Sequence, residues 1–519
     1  MEDDLLLQEN QTDVYAIHGA EPEVLAYAMA KYSRSALTMR ESLAEISSQR
    51  AEQFLNTFYF QYGHRSIADL AHVPMAIERL SLLAAIALVD EQRWDGQERS
   101  TRYQDFRRSG WYTPALGSAT PSYTTAIEAL FAAYNGVGEG MQAALKSMIP
   151  RPDEMKSDAY DRTLKARAFD VARYLLPLAT NTSLGQIVNA RTLETQVSRL
   201  LTSDFAEIRA LGQRMRSAAT EPAWNVNQKA AQALMEELEA ASGTRDARIE
   251  QMLLKPVKAA PTLVKYAVAN DYQRQTRQDL SQAAAELMQG AEILPSPVVD
   301  LLDGEESLEV ELATSLVYPH CHYSYRQLRD VIASLDGRKH AEIIELGTRH
   351  RGRHDELLRP FHAGSCLRFD ILMDIGGFRD MHRHRRCTQL LQEFTAQHGY
   401  ETPDAPGQPT LAEAGLENSY KAAMEAAFAA YEAVKNSGMA EAEQSARYCL
   451  PLGTRCRSMF KMDFAEALYI SELRSGVAGH YSYRRVAWEM YEAVKRQHPG
   501  LAGLYRIEDV TEPVDLLRR

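Results

Sequence analysis

The densest chemistry in the chain is the cationic run His382-Arg383-His384-Arg385-Arg386, which follows Gly376-Gly377-Phe378-Arg379. Guanidinium forks match phosphate oxygens and an imidazole adds a further contact, so the run reads as an anion site or as a solvated basic face. Earlier in the chain, Glu98, Ser100 and Arg102 alternate within Gln97-Glu98-Arg99-Ser100-Thr101-Arg102-Tyr103. In an extended or turning segment those three side chains face one way and offer a carboxylate, a hydroxyl and a guanidinium to one ligand; a surface strand carries the same pattern. Arg173 and Arg447 each precede a Leu-Pro-Leu element, while Asn189, Arg191 and Arg474 follow one. A guanidinium buried beside such an apolar element requires a carboxylate or phosphate partner, so each of these reads as a structural ion pair or as a ligand contact.

Other groupings are weaker. His320-Cys321-His322, with His350 and His354, matches no familiar zinc spacing and lies among cations, so no metal is expected. Cys387 ends the arginine run and reads either as an activated thiolate or as a packed thiol. Gly63-His64-Arg65-Ser66 has the form of a helix-entry turn. Neither GxxxxGK[ST] nor GxGxxG occurs, so side chains must hold any nucleotide. A net charge of −12 argues against a general nucleic-acid binder, yet two or three arginines in a pocket hold a single mononucleotide whatever the total. The acidic N-terminus, the lack of a long apolar run and the five unpatterned cysteines predict a cytoplasmic protein with reduced thiols and no membrane span.

The elements that must position these residues come in duplicate. Residues 172–178 read ARYLLPL and 446–452 read ARYCLPL, with six of seven positions identical at an offset of 274. Residues 126–134 and 423–431, AIEALFAAY and AMEAAFAAY, share seven of nine at an offset of 297. The order is the same in both halves, and a loop-sized deletion of 23 residues explains the change of offset. Residues 1–285 form a first copy, 286–309 a connector rich in Pro, Gly and acidic residues, and 310–519 a second copy. Apolar spacing of three and four predicts helices over 126–146 and 418–436, and strands are expected at His72–Ala76 and Leu367–Met373. The expected fold class is α+β and helix-rich.

These residues resemble the flavin-dependent thymidylate synthases, whose signature runs RHRxxSxNExSxR after a GHxS-type segment. Gly63-His64-Arg65-Ser66 and the tail Gln97-Glu98-Arg99-Ser100-Thr101-Arg102 match in the first copy, where the head falls on Asp90-Glu91-Gln92 and is lost. In the second copy Arg383-His384-Arg385 match the head, and the tail falls on Leu391, Glu393 and Thr395. The arginine before Leu-Pro-Leu is present twice, the Asn-x-Arg pair only as Asn189 and Arg191, and the final arginine only as Arg474, with Leu200 at its counterpart. Ala30-Lys31-Tyr32-Ser33 resembles the family's early AxxS element.

The resemblance implies two tandem copies of that fold, with mostly antiparallel sheet and long helices, and composite sites whose motifs were lost in complementary fashion. It implies FAD on Ser33, His64, Ser66, Asn189, Arg191, Arg383, His384 and Arg385. It implies a nucleotide on Glu98, Ser100, Arg102, Arg173, Arg379, Arg447 and Arg474, with Arg383 and Arg474 at the reacting centre. The implied reaction is reductive methylation of dUMP to dTMP with methylenetetrahydrofolate and NADPH, in a homodimer that mimics the family's tetramer. Asp380 stands near the position of a glutamine that meets the nucleotide in the family, which keeps another pyrimidine nucleotide open as substrate; the split signature keeps open a flavin- or nucleotide-binding pseudoenzyme.

Overall fold

The computed structural model describes residues 14–17, 19–32, 35–45, 65–244, 246–265, 267–302, 307–352, 355, 357–361 and 367–517. They group into two compact units. One comprises Met1–Pro74, Ile187–Val197 and Gln213–Ala267; the other comprises Met75–Gln186, Ser198–Gly212 and Val268–Arg519. The fold is helix-rich α+β with two small sheets, as the sequence predicts.

The first unit holds short helices, among them Pro22–Lys31, Gln228–Ser242 and Ala247–Leu254. Glu23, a buried carboxylate of this unit, accepts the backbone N–H groups of Thr262 (2.8 Å) and Leu263 (2.7 Å), which satisfies donors that water cannot reach.

Strands β1 (His72–Ser81), β3 (Asn181–Asn189) and β2 (Asp95–Glu98) form a three-stranded sheet in the order β1-β3-β2. The second unit contains a four-stranded antiparallel sheet in the order β4-β5-β7-β6, from Val299–Leu301, Leu367–Asp374, Arg455–Met462 and Thr388–Leu391. Its edge strand β4 arises inside the stretch 286–309 that composition marks as connector. The predicted strands are present as β1 and β5, and the predicted helices as Thr120–Met148 and Glu417–Lys435.

The duplication is visible as repeated hydrogen bonds. Leu82 and Leu83 N–H groups reach the carbonyls of Thr180 (2.9 Å) and Leu178 (3.1 Å); Ile375 and Gly376 reach Thr454 (2.9 Å) and Leu452 (3.0 Å) in the same way. The hydroxyls of Tyr123 and Tyr420 each donate to a backbone carbonyl at 2.6 Å, Tyr112 in one copy and Glu401 in the other. Ser81 caps the helix Leu82–Val89 and Asp374 caps Ile375–Met381.

The two copies meet through the Leu-Pro-Leu elements, which pair with each other antiparallel. Pro177 lies opposite Pro451; Leu178 N–H donates to Leu450 (2.7 Å) and Leu452 N–H to Leu176 (2.8 Å). Exchanging the copies maps one bond onto the other, the signature of a local two-fold axis. The prolines occupy the one position of such a ladder at which neither facing residue uses its N–H, so neither missing donor is felt.

Around this pairing the copies differ. Ala179 of the first corresponds to Gly453 of the second, where a Cβ would lie 2.9 Å from Tyr174 Cδ1 and 3.0 Å from Tyr420 Oη. Gly453→Ala should therefore destabilise the chain by about 1–3 kcal/mol through overpacking. Urea unfolding of the full chain checks this, and unchanged stability would contradict the tight approach of Tyr174.

Candidate active site

The site is built where the helix Ile375–Met381 ends and the segment following Leu82–Val89 approaches it. Asp374 Oδ1 accepts the Gly377 N–H (2.6 Å) and fixes the start of Ile375–Met381, so that Arg379, Asp380 and the basic run emerge from its last turn. Trp94 is held by its indole N–H on Gln186 (2.8 Å). A pocket forms between the repeats, lined by Ile86, Val89, Trp94 and Glu98 from the first and by Arg379, His382, Arg383 and Arg385 from the second.

The head and tail of the split signature therefore touch. Arg383 donates to Gln97 Oε1 (2.7 Å), Arg379 is paired with Glu98, and the Arg385 guanidinium lies 4.5 Å from the centre of the Trp94 ring. Burial, with Arg383 as neighbour, lowers the Arg385 pKa to about 10. In the first copy Asp90 replaces the leading arginine; it pairs with Arg359 (2.6 Å), and despite burial the cations Arg359, His382 and Arg199 hold its carboxyl well below the usual range.

Behind the pocket wall lies a buried charge cluster around Asp380. Burial pulls its pKa upward, but Arg173 first, then Arg102, Arg474 and Arg379, overcome that and keep it below the ordinary value. Arg173, whose side chain is 2% exposed, donates Nη1 to Asp380 at 3.3 Å. Its Nε and Nη2 have no partner, and neither does Arg379 Nε. Gly376 lies against the Arg173 guanidinium, since a Cβ there would stand 3.1 Å from Asp374 Oδ1 and 3.6 Å from Arg173 Cζ. Four guanidiniums face four carboxylates, Asp380, Asp170, Glu98 and, beside Arg173, Asp374, so the open donors of Arg173 and Arg379 rather than an excess of charge suit the place to an anion.

Of the extended and turning alternatives for Glu98, Ser100 and Arg102 the chain takes the turn, because β2 ends at Glu98; Ser100 Oγ accepts the Arg102 N–H (3.2 Å) within that turn. Arg102 is buried and committed, donating to Asp170 (2.8 Å), to the Tyr483 hydroxyl (2.7 Å) and to the Ala478 carbonyl (3.1 Å). Asp170 and Tyr483 escape sequence reading. The available signal for Asp170 is its place one helical turn before Arg173 on an otherwise apolar stretch.

Arg474 donates Nε to His384 Nε2 (2.7 Å), so that imidazole is neutral with its proton on Nδ1. Burial, reinforced by Arg474, Arg385 and Arg383, pushes its pKa down to about 3. Arg447 stands apart from the Asp380 cluster and pairs with Glu393 (2.6 Å). Cys387 is a packed thiol, with burial pushing it up to about 12. His320 contacts Ser281 (3.0 Å) and His350 contacts Asp279 (2.8 Å); among the described residues no group of three or more ligating side chains is placed to hold a metal.

In the other unit Asn189 Oδ1 accepts the Thr192 N–H (2.8 Å) at the start of a helix, and Arg191 pairs with Asp69 (2.9 Å). Ser66 lies in the short turn Arg65–Leu70, while Ser33, His64, His354 and Cys366 lie outside the described residues.

Two outcomes follow from this geometry. Asp380→Asn removes a carboxylate whose folded pKa lies below its unfolded value, so the stability lost in the variant is fully present above about pH 4 and vanishes as pH falls through the folded pKa. Denaturation of both proteins between pH 7 and pH 3 measures the narrowing gap; a constant gap would contradict the charge cluster. His384 should remain neutral throughout pH 5–8 with the proton on Nδ1, and a 15N-detected titration showing protonation near pH 6.5 would contradict its role as acceptor.

Comparison with known proteins fits this arrangement. The family model described as thymidylate synthase complementing protein matches twice, over residues 16–223 and 311–500. A UPF0159 protein of Chlamydia pneumoniae is 26% identical, covering 98% of this chain and 93% of its own length; one from Chlamydia muridarum is also 26% identical, over 95% and 91%. UPF0159 protein Ta1429 of Thermoplasma acidophilum is 23% identical over 93% and 94%. Two matches in tandem, with equivalent hydrogen bonds in each half and a pocket lined by both, lead to one conclusion: the chain belongs to the thymidylate synthase complementing protein family, the flavin-dependent thymidylate synthases, as a duplicated member.

Proposed function

We propose that the chain catalyses reductive methylation of dUMP to dTMP, with FAD as cofactor, methylenetetrahydrofolate as carbon donor and NADPH as reductant, at a site composed from both repeats. The observation that carries the reading is Arg173, a fully buried guanidinium with Nε and Nη2 unpartnered beside the cluster around Asp380. Buried donors without acceptors are costly, and a nucleotide oxygen supplies what they lack.

The residues present suit the cofactor. Arg383 is exposed and spends one donor on Gln97, Arg385 lies over an aromatic ring, and His384 is oriented by Arg474, so Arg383, His384 and Arg385 would hold FAD. When bound, the flavin supplies the hydride; the chain binds, orients and excludes water. Glu98, Ser100, Arg173 and Arg379 would bind the nucleotide. Arg102 would support them by fixing Asp170 and Tyr483. Arg383 and Arg474 would stabilise charge that builds on the pyrimidine ring. The two copies are taken as residues 1–285 and 310–519 joined by 286–309, and two chains would complete a pseudo-tetramer.

Asp380 favours a second reading at the level of the base. A carboxylate accepts hydrogen bonds and donates none, so it suits a pyrimidine bearing an amino group better than one bearing a carbonyl at the same edge. Product analysis of mixtures containing dUMP or dCMP separates the two.

Purified protein should carry a flavin spectrum that dUMP perturbs, and complete mixtures should oxidise NADPH and yield dTMP. Protein that binds neither flavin nor nucleotide would overturn the proposal. Arg173→Ala should weaken dUMP binding by about 1.5–3 kcal/mol, roughly 10- to 150-fold, as measured by calorimetry. Unchanged affinity would remove Arg173 from the site.

A further inference from the structure

Arg447 is the repeat equivalent of Arg173, and Glu393 that of Ser100, so each copy carries the same pair of positions with different chemistry. In the first copy the guanidinium is buried and keeps Nε and Nη2 without partners. In the second, Arg447 is just as buried, with a side chain 6% exposed, but its Nη2 donates to Glu393 Oε2 at 2.6 Å. Glu393 itself is 49% exposed and reaches Arg447 from the solvent side, the direction from which a dissolved anion would arrive. Thr395 stands at the position of Arg102.

The surroundings of Glu393 remain those of an anion site. His320 and His322 both feel its negative charge, Arg277 lies near His320, and His322 and His398 rings stand 6.3 Å apart. Glu443 lies 3.6 Å from Arg447 Nη2 as a second carboxylate, yet Arg447 Nε, His322 Nδ1 and His398 Nε2 have no hydrogen-bond partner, so polar nitrogens remain beyond what the two carboxylates satisfy. A serine leaves room for a phosphate that a glutamate both fills and repels.

We infer that the Glu393 carboxylate is a tethered substitute for the substrate phosphate in the second copy, so that each chain binds one nucleotide at the Arg173 site and none at the Arg447 site. This rests on the function proposed above for the Arg173 site. It makes the second pocket a closed structural element that a single substitution reopens.

Equilibrium dialysis of the full chain with dUMP tests the inference by counting nucleotides per chain. Wild type should bind one and Glu393→Ser two; Arg447→Ala added to Glu393→Ser should return the count to one. Two nucleotides on wild type, only one on folded Glu393→Ser, or two retained after Arg447→Ala would each overturn it. None on wild type with one on Glu393→Ser would support the inference while overturning the function proposed for the Arg173 site, and none on either would overturn both. Glu393→Ala removes both the volume and the charge and provides a second route: inorganic phosphate should raise its Tm more than that of wild type, because only the variant has gained an anion site at Arg447. Equal rises would overturn the inference.

Discussion

The antiparallel pairing of the two Leu-Pro-Leu elements is the constraint on which the rest depends. Each element lies between a buried arginine and a strand, so docking one against the other sets the positions of both arginines and of β3 and β7 at once. Leu178 and Leu452 serve both relations, giving their N–H groups across the axis and their carbonyls to Leu83 and Gly376. Those last two residues open the helices whose ends deliver Asp90 on one side and the basic run on the other. A shift of one residue in the pairing would place proline where an N–H is needed and would displace both helices.

Charge distribution within this frame is asymmetric although the backbone is nearly symmetric. The Asp380 cluster leaves guanidinium donors open; the region around Arg447 supplies its own carboxylates, Glu393 and Glu443. Desolvation makes both arrangements costly unless compensated; at Arg447 the chain supplies the compensation, while at Arg173 two guanidinium nitrogens stay without an acceptor.

Much of this was legible in the sequence. The duplication, the helix and strand positions and the meeting of Arg383 with the Gln97–Arg102 segment all follow from short identities and the family signature, because a repeated core and a shared pocket constrain residue type at many positions. The commitment of Arg102 to Asp170 and Tyr483 was not legible, since those partners lie 68 and 381 residues away and no local pattern announces them. The alternation of Glu98, Ser100 and Arg102 left strand and turn both open, because period-two spacing does not distinguish a strand from the turn that follows it, and β2 stops at Glu98. Arg447 and Arg173 looked interchangeable; only the neighbours, Glu393 and Asp380, separate them.

The pairing across the pseudo-axis is covalently guaranteed, since Leu178 and Leu450 belong to the same polypeptide. In an assembly of identical subunits, every substitution near a dyad appears on both sides and both must tolerate it. Here a change such as Ala179 against Gly453 is made once. Dilution cannot part the halves, and each half is free to drift toward a separate task while its twin preserves the shared scaffold.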